Sequence, residues 1–211
     1  MHTLLKNFFT LSILISSCCL SSEQNPYNFI DINAQKMVQV LKENKSLFLE
    51  DRELYEQKIK EIFEPMIDFR RVAAVVMGKK YYLASSMEQR AEFVDIFKDS
   101  LLDTYAETLA QWQNQTITTI FPKDMQAQFY ELKNIEVQQT LNTGSSKYPI
   151  SYKLRKNKDN SWVIVNIIVN GVNLGLTFRN QFQALASKNN GDIEATLKGW
   201  VSDAGDAGIS E

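Results

Sequence analysis

The residue types that most often carry catalysis lie together at the start of the chain. The single histidine, His2, and the only two cysteines, Cys18 and Cys19, all fall within the first 19 positions. If this segment is removed on export, neither an imidazole nor a thiol remains for a nucleophilic triad or a zinc site. Aspartate and glutamate total 25 residues, so a pair of carboxylates acting as general acid and base stays open as an alternative.

Phosphate-binding and calcium-binding loops are absent, and the charge pattern favours no polyanionic partner. Neither GxGxxG nor GxxxxGK occurs, and we interpret Gly171 and Gly175 as residues of a strand-to-helix corner. The 23 basic and 25 acidic residues are spread along the chain and give a net charge of -2. We therefore predict that the protein is not an enzyme, with no catalytic residue, no metal, no cofactor and no nucleic-acid partner.

The first 22 residues have the pattern of an export signal. Lys6 supplies a positive charge, residues 8–15 are mostly apolar, and small residues follow. Residues 15–18 also resemble a bacterial lipobox, in which Cys18 would be acylated; an ordinary cleavage site that contains a cysteine is the alternative. We predict a signal peptide over residues 1–22, a single domain over residues 23–203 and a flexible tail over residues 204–211.

Residues 162–182 combine a strand with an amphipathic helix. The strand is predicted to place Val163, Val165, Ile167 and Val169 on one face and Trp162, Ile164 and Ile168 on the other. Two apolar faces indicate cover on both sides. Gly171 ends the strand, and Leu174, Phe178 and Phe182 then recur at helical spacing. If this helix folds back over the sheet, the apolar surfaces either enclose a pocket or close on each other as solid core.

Four more helices and three further strands are predicted upstream, and the first two helices span about residues 26–44 and 51–63. A helix over residues 66–77 has Asp68 in its first turn, as its predicted cap, and ends at Gly78. Ser85 and Glu88 form a predicted capping box for a long helix that reaches residue 113. This helix carries one stripe of large side chains, formed by Phe93, Phe97, Leu101, Tyr105, Leu109 and Trp112.

The strands predict the fold class. Residues 116–121, 130–141 and 148–154 precede the strand at residue 162 with short links, which predicts an antiparallel meander. The chain is therefore predicted to be α+β, with a four-stranded antiparallel meander wrapped by about six or seven helices and an apolar cavity between sheet and helices.

An apolar cavity in an exported domain suits a lipid. Burial of an acyl chain contributes about 0.8 kcal/mol per methylene, so a lipid with about 30 methylenes cannot cross an aqueous compartment unshielded. A container without catalytic groups is sufficient for that task. A small enzyme with a carboxylate base in the same cavity, and an exported interaction module without a ligand, remain the alternatives.

Two separated blocks of residues carry a family resemblance. The first comprises Asp68, Phe69, Arg70, Arg71, Val76, Met77, Gly78, Gln89, Arg90, Phe93, Phe97, Leu101, Leu102, Tyr105 and Ala106. The second comprises Trp162, Val163, Ile164, Val165, Gly171, Val172, Asn173, Leu174 and residues 178–182. Together they resemble the MlaC family of periplasmic phospholipid-binding proteins, also called the toluene-tolerance auxiliary component. The chain departs from the family pattern at Tyr81, Asn166, Asn170 and Asn173.

The resemblance implies a monomeric periplasmic carrier of phospholipid. It would shuttle glycerophospholipids between an outer-membrane lipoprotein-porin complex and an inner-membrane complex of an MCE-domain protein and an ABC transporter. This auxiliary role in the Mla pathway would maintain the lipid asymmetry of the outer membrane. A periplasm-facing lipoprotein anchored through Cys18 is the alternative location.

The acyl tails are expected between the sheet and the helices, with the head group at the mouth. The predicted lining is Phe97, Leu101, Tyr105, Val137, Tyr152, Val165, Ile167, Val169, Leu174, Phe178 and Phe182. Solid core packing is the alternative for each of these residues. Arg179 lies one position off the apolar helix face and is predicted at the mouth, with a structural salt bridge as the alternative.

Overall fold

The computed structural model describes residues 25–124 and 131–203. The predicted signal peptide with Cys18, the predicted tail over residues 204–211 and Tyr130 lie outside the described residues. Within the described ranges the helices are α1 (Pro26–Glu43), α2 (Leu47–Glu50), α3 (Arg52–Phe63), α4 (Phe69–Ala84), α5 (Met87–Ala110), α6 (Leu174–Lys188) and α7 (Ile193–Lys198). The strands are β1 (Thr116–Thr119), β2 (Asn134–Asn142), β3 (Lys147–Lys156), β4 (Trp162–Val169) and β5 (Val172–Asn173). The α+β class is confirmed.

The long helix α5 begins one residue later than predicted. Ser86, rather than Ser85, is the N-cap, and its hydroxyl accepts the Gln89 backbone N–H at 3.1 Å while Gln89 Oε1 accepts the Ser86 N–H at 3.0 Å. The predicted box of Ser85 with Glu88 is wrong because the Ser85 hydroxyl is already engaged. It donates to the carbonyl of Tyr81 at 2.6 Å and so closes α4 instead.

Helix α4 begins at its predicted cap and bends at Gly78. The Asp68 carboxylate accepts the Arg71 N–H at 3.1 Å, which confirms the cap. Gly78 has φ 70° and ψ 162°, so the first helical segment ends there, and a second segment continues to Ala84. A Cβ at Gly78 would lie 3.0 Å from Gln183 Nε2 and 3.3 Å from Arg179 Nε. The glycine therefore lets α6 approach α4 closely.

The sheet is an antiparallel meander of five strands, so the predicted number of four is wrong. The strand order is β1-β2-β3-β4-β5. Asn170 (φ 49°) and Gly171 (φ 83°) form a tight turn after β4, and the short β5 pairs back against Ile168 and Val169. The chain thus makes one more hairpin before it enters α6.

A β-bulge changes the faces predicted for β4. Leu154 pairs with Ile164, but the preceding residue of β3, Lys153, pairs with Asn166, so Val165 has no partner across the ladder. The strict alternation predicted for β4 is wrong at this point. Because paired residues share a face, the inner face carries Trp162, Ile164, Ile167 and Val169, opposite Lys156, Leu154, Tyr152 and Ile150 of β3.

The outer face of β2 and β3 is polar. Glu136 accepts hydrogen bonds from the Ser151 hydroxyl and the Lys153 ammonium. These bonds, with a weaker one from Gln138, lower the pKa of Glu136 to about 2. The face opposite this one carries the apolar residues, and the helices gather on that side.

The apolar interior is divided into four clusters. The helical cluster is formed by α4 to α7 and contains Phe69, Ala73, Val76, Met77, Tyr81, Phe93, Phe97, Phe178, Phe182, Ala186, Ile193, Leu197 and Trp200. The α1–sheet cluster contains Ile30, Val137, Leu154, Trp162 and Ile164. The α3 cluster contains Leu41, Tyr55, Ile59, Leu102 and Ala106. The sheet cluster contains Ile150 and Val169.

Candidate functional site

Three half-buried apolar residues lie where the clusters meet. Tyr152 and Ile167, which pair across β3 and β4, pack against both the α1–sheet cluster and the sheet cluster. Leu174, the first residue of α6, packs against both the sheet cluster and the helical cluster. All three keep solvent-accessible surface, although they join fully buried groups. The clusters therefore leave apolar surface uncovered at their junction.

Tyr152 combines a desolvated hydroxyl with accessible surface. Burial raises the pKa of its hydroxyl, so the surroundings of the ring are poor in water. Yet the side chain is only half-buried, and its hydroxyl has no hydrogen-bond partner within the described residues. The inner face of the sheet thus has apolar surface at Tyr152 that the described protein does not cover.

Helix α5 supplies a second half-buried pair. Leu101 and Tyr105 are one helical turn apart and pack against the helical cluster from its edge. Leu174 packs against the same cluster and also reaches the sheet cluster. The half-buried groups of α5 and of the sheet are thereby connected through the start of α6.

The other predicted lining residues are held more tightly by the protein. Phe97, Phe178 and Phe182 belong to the helical cluster and are at most 3 % exposed. The centroids of the Phe97 and Phe178 rings are 5.5 Å apart, and the Phe182 ring is 4.8 Å from that of Phe93, both in edge-on geometry. Val137 is fully buried, Val169 is 8 % exposed, and Val165 is half-buried at the bulge.

Arg179 is exposed on α6 and rests against the bend of α4 at Gly78. It forms no ion pair with any residue in the described ranges. The salt bridge considered as an alternative is therefore not formed with a described partner. Its guanidinium is left on the surface beside the contact of α4 with α6.

A network of polar side chains fixes the connection between the sheet and α6. Asn166 Oδ1 accepts the backbone N–H of Gly175 at 3.0 Å, and Asn166 Nδ2 donates to Asn173 Oδ1 at 2.9 Å. Asn173 in turn caps α6 by accepting the N–H of Leu176 at 3.1 Å. The assignment of Gly175 to the strand-to-helix corner is confirmed, because a Cβ there would lie 2.6 Å from Asn166 Oδ1.

A buried polar chain between α1 and the sheet was not predicted. Thr119 donates to Asp31 Oδ1 at 2.7 Å, and Gln139 Nε2 donates to the Thr119 hydroxyl at 2.8 Å. Gln139 is fully buried, and its Oε1 has no hydrogen-bond partner within the described ranges. The signal was present in β2, where Gln139 interrupts the inward alternation of Val137 and Leu141. This chain of hydrogen bonds ties α1 to the sheet.

The chemistry at the junction is that of a container. Its side chains are hydrocarbon and aromatic, and its titratable hydroxyl, on Tyr152, has a raised pKa and stays protonated at neutral pH. In the part of the chain that the structure describes, no group of three His, Cys, Asp or Glu residues could hold a metal ion. The same part contains no helix that is both long and apolar enough to span a bilayer.

Comparisons with known proteins agree on one family. The family model described as MlaC protein matches residues 32–202. The toluene tolerance protein ttg2D of Pseudomonas putida is 29% identical over 87% of this chain and 83% of its own length. The intermembrane phospholipid transport system binding protein MlaC of Haemophilus influenzae is 24% identical over 97% of this chain and 89% of its own.

A solved structure shares the fold. The phospholipid-binding protein of Ralstonia solanacearum, determined in complex with a phospholipid, superimposes with a TM-score of 0.70. The match covers 80% of this chain and 90% of that protein at 24% sequence identity.

Proposed function

The chain belongs to the MlaC family, and from that premise we propose that it is a periplasmic carrier of phospholipid. It shuttles glycerophospholipids between the outer and inner membranes and so maintains the lipid asymmetry of the outer membrane. Its partners are an outer-membrane lipoprotein-porin complex and an inner-membrane complex of an MCE-domain protein with an ABC transporter. The carrier is a monomer and changes no covalent bond of its cargo.

The observation that carries this proposal is the uncovered apolar surface at Tyr152, Ile167 and Leu174. These residues belong to three different elements and are half-buried where the helical cluster, the α1–sheet cluster and the sheet cluster meet. Contact with an acyl chain would cover that surface, with each methylene removed from water contributing about 0.8 kcal/mol. Similar proteins whose names refer to phospholipid binding and transport support the same cargo.

The lipid would be held by shape and desolvation. The acyl tails would contact Leu101 and Tyr105 on one side and the inner face of β3 and β4 on the other. Arg179 is the proposed contact for the head group, because its guanidinium is exposed and forms no ion pair with a described residue. The residues proposed to contact the tails include no carboxylate, the base that the enzyme alternative requires, and the raised pKa of Tyr152 keeps its hydroxyl protonated at neutral pH.

Export and domain limits form part of the same proposal. We assign residues 1–22 to a signal peptide, 23–203 to the lipid-binding domain and 204–211 to a tail. Acylation of Cys18 would anchor the carrier to a membrane facing the periplasm. Mass spectrometry of the purified mature protein distinguishes a diacylated N-terminal cysteine from an unmodified new N-terminus.

Two adjacent residues of β4 provide a matched test of the cavity. Ile167 faces inward opposite Tyr152, whereas Ile168 faces outward opposite Ser151, and both are half-buried. Ile167→Trp should fill the cavity and reduce the fraction of lipid-bound protein in native mass spectra, while Ile168→Trp should leave it unchanged. Protein purified from bacterial membranes provides the starting material.

The outcomes separate the carrier from its alternatives. Lipid masses on the wild type, lost on Ile167→Trp and kept on Ile168→Trp, support the carrier. A lipid-free wild type after gentle preparation would favour a ligand-free interaction module. Equal lipid occupancy in both variants would place the lipid elsewhere.

A further inference from the structure

A basic cleft lies at the end of the sheet remote from α6. It is built by the residues just before β2, the end of β3, the β3–β4 turn and the first turn of α4, and its volume is about 560 Å³. Five of its side chains are cationic, namely Arg71, Lys133, Arg155, Lys156 and Lys158. Asp68 and Glu131 are its carboxylates. Positive charge is thus concentrated here on a chain whose net charge is -2.

Three of these cations are not neutralised within the described protein. Lys133, Arg155 and Lys158 form no ion pair with any described residue. The neighbouring Lys153, in contrast, is bound to Glu136 on the outer face. Asp68 caps α4 through one oxygen, and its other oxygen forms a long ion pair with Arg71, at 3.9 Å from Nε. Like charges held together raise the free energy of the unliganded cleft, and an anionic partner would relieve this repulsion.

The backbone around the cations is ordered in the absence of a partner. Asn157 Oδ1 accepts the backbone N–H groups of Asp159 and Ser161, both at 2.9 Å, and so closes the β3–β4 turn. The ammonium group of Lys156 lies 5.3 Å from the centroid of the Trp162 ring. Because the backbone is already shaped, binding would require little further ordering.

The geometry selects among anionic partners. The cations come from three separate stretches of chain, so one small anion cannot contact them all, and the volume is that of a cleft for a much larger group. A bilayer is flat and would meet only the rim of a concave site. Leu132, which is 42% exposed in the cleft, offers an apolar contact beside the charges. A protruding acidic segment with an apolar residue meets all of these conditions.

We infer that this cleft is a docking site for an acidic segment of a partner protein. The charges would accelerate and orient the encounter, and Glu131 would disfavour binding in the wrong register. The surface is distinct from the proposed lipid cavity, since its cations surround the sheet end and not the junction at Tyr152. Docking here would leave the cavity free to exchange its cargo.

The test uses a fluorescein-labelled twelve-residue peptide of Asp, Glu and Gly with one central Leu. Its binding to the full mature chain is measured by fluorescence anisotropy at low salt. Lys133→Glu combined with Lys158→Glu should weaken binding about tenfold or more. Lys36→Glu combined with Lys147→Glu is the control, because all four lysines are exposed and both pairs change the net charge equally. The control should weaken binding less than about twofold.

Several results would overturn the inference. Equal losses in the two double variants would mean that only overall charge matters, and the absence of wild-type binding would remove the site altogether. Displacement of the peptide by inorganic phosphate, or by phosphatidylglycerol vesicles at equal total charge, would assign the cleft to a phosphate group or a membrane. Circular dichroism verifies folding, and native mass spectra report lipid occupancy independently, so failure of the docking site and failure of the carrier are distinguishable.

Discussion

Replacing Gly175 with alanine should destabilise the protein through a contact with a single side chain. A Cβ at this position would lie 2.6 Å from Asn166 Oδ1, closer than nonbonded atoms approach. The Asn166 side chain would have to move, because the backbone of α6 is fixed at its first turn by the Asn173 cap. Movement of Asn166 breaks its bonds with Gly175 N and with Asn173 Oδ1.

The magnitude follows from these two hydrogen bonds. Each contributes about 1 kcal/mol net, so their loss costs about 2 kcal/mol. Alanine is favoured over glycine by up to about 1 kcal/mol in a helix interior, and by less at the first turn where residue 175 lies. The free energy of unfolding of Gly175→Ala should therefore fall by about 1 to 2 kcal/mol, which lowers Tm by about 4 °C for a domain of this size.

Urea denaturation followed by circular dichroism measures the change, with Gly199→Ala as the matched control. A Cβ at Gly199 would meet its nearest atom, the Ala195 carbonyl oxygen, at 3.4 Å, and the backbone there has φ -96°. This control should change stability by less than about 0.5 kcal/mol. In the double variant Asn166→Ala with Gly175→Ala, the clash is absent, so the double variant should be more stable than the sum of the single effects predicts, by about 1 kcal/mol. The reasoning would be refuted if the effects of Asn166→Ala and Gly175→Ala were strictly additive. It would also be refuted if Gly175→Ala and Gly199→Ala were equally stable.

Three further substitutions test other features of the structure. Gly78→Ala should cost about 1 to 3 kcal/mol in urea denaturation, because φ is 70° and the new methyl would press on α6; a stability equal to wild type would contradict the close contact. Tyr55→Phe should reduce the loss of stability at alkaline pH. Burial raises the pKa of Tyr55 to about 12, so its contribution to the stability of the wild type is full below pH 10 and declines between pH 10 and 12. The variant should therefore lose less stability than the wild type over this range. A stability difference independent of pH in this range would count against that burial. Glu136→Gln should remove stability that wild type has above about pH 4.3 and loses as the pH falls towards 2, since the folded-state pKa is lowered to about 2. For this exposed pair we expect less than about 1 kcal/mol, and equal acid sensitivity of both proteins would argue against the ion pair with Lys153.

Local patterns in the chain were sufficient for the class of the fold. The Asp68 cap and the end of the first segment of α4 at Gly78 each depend on interactions within a few residues, and each is confirmed. Sequence patterns were less reliable where two neighbouring residues could each cap the same helix. Ser85 and Ser86 can both cap a helix, and the choice depended on the hydroxyl of Ser85 being engaged by α4.

The sequence predicted which helices and strands contribute to the candidate site, but not which of their apolar residues stay uncovered. Apolar periodicity nominated Phe97, Tyr152 and Phe182 alike, because a side chain that fills a core and one that borders a cavity obey the same spacing rule. Separating them required the contacts of each side chain with other elements. Phe97 and Phe182 are enclosed by aromatic rings, whereas Tyr152 keeps accessible surface.

The sequence by itself determined which residues are apolar, where most of the helices and strands form, and that no thiol or imidazole follows position 19. The tertiary structure decided the bulge at Val165, the fifth strand, the apolar surface left uncovered at Ile167 and the gathering of Lys133 with Arg155 in one cleft. The physical reason is the separation along the chain of the residues that interact. Helix caps and strand alternation depend on neighbours along the chain, whereas cavities and charge clusters depend on how distant surfaces fit, and one residue of register in a strand reverses which side chains meet.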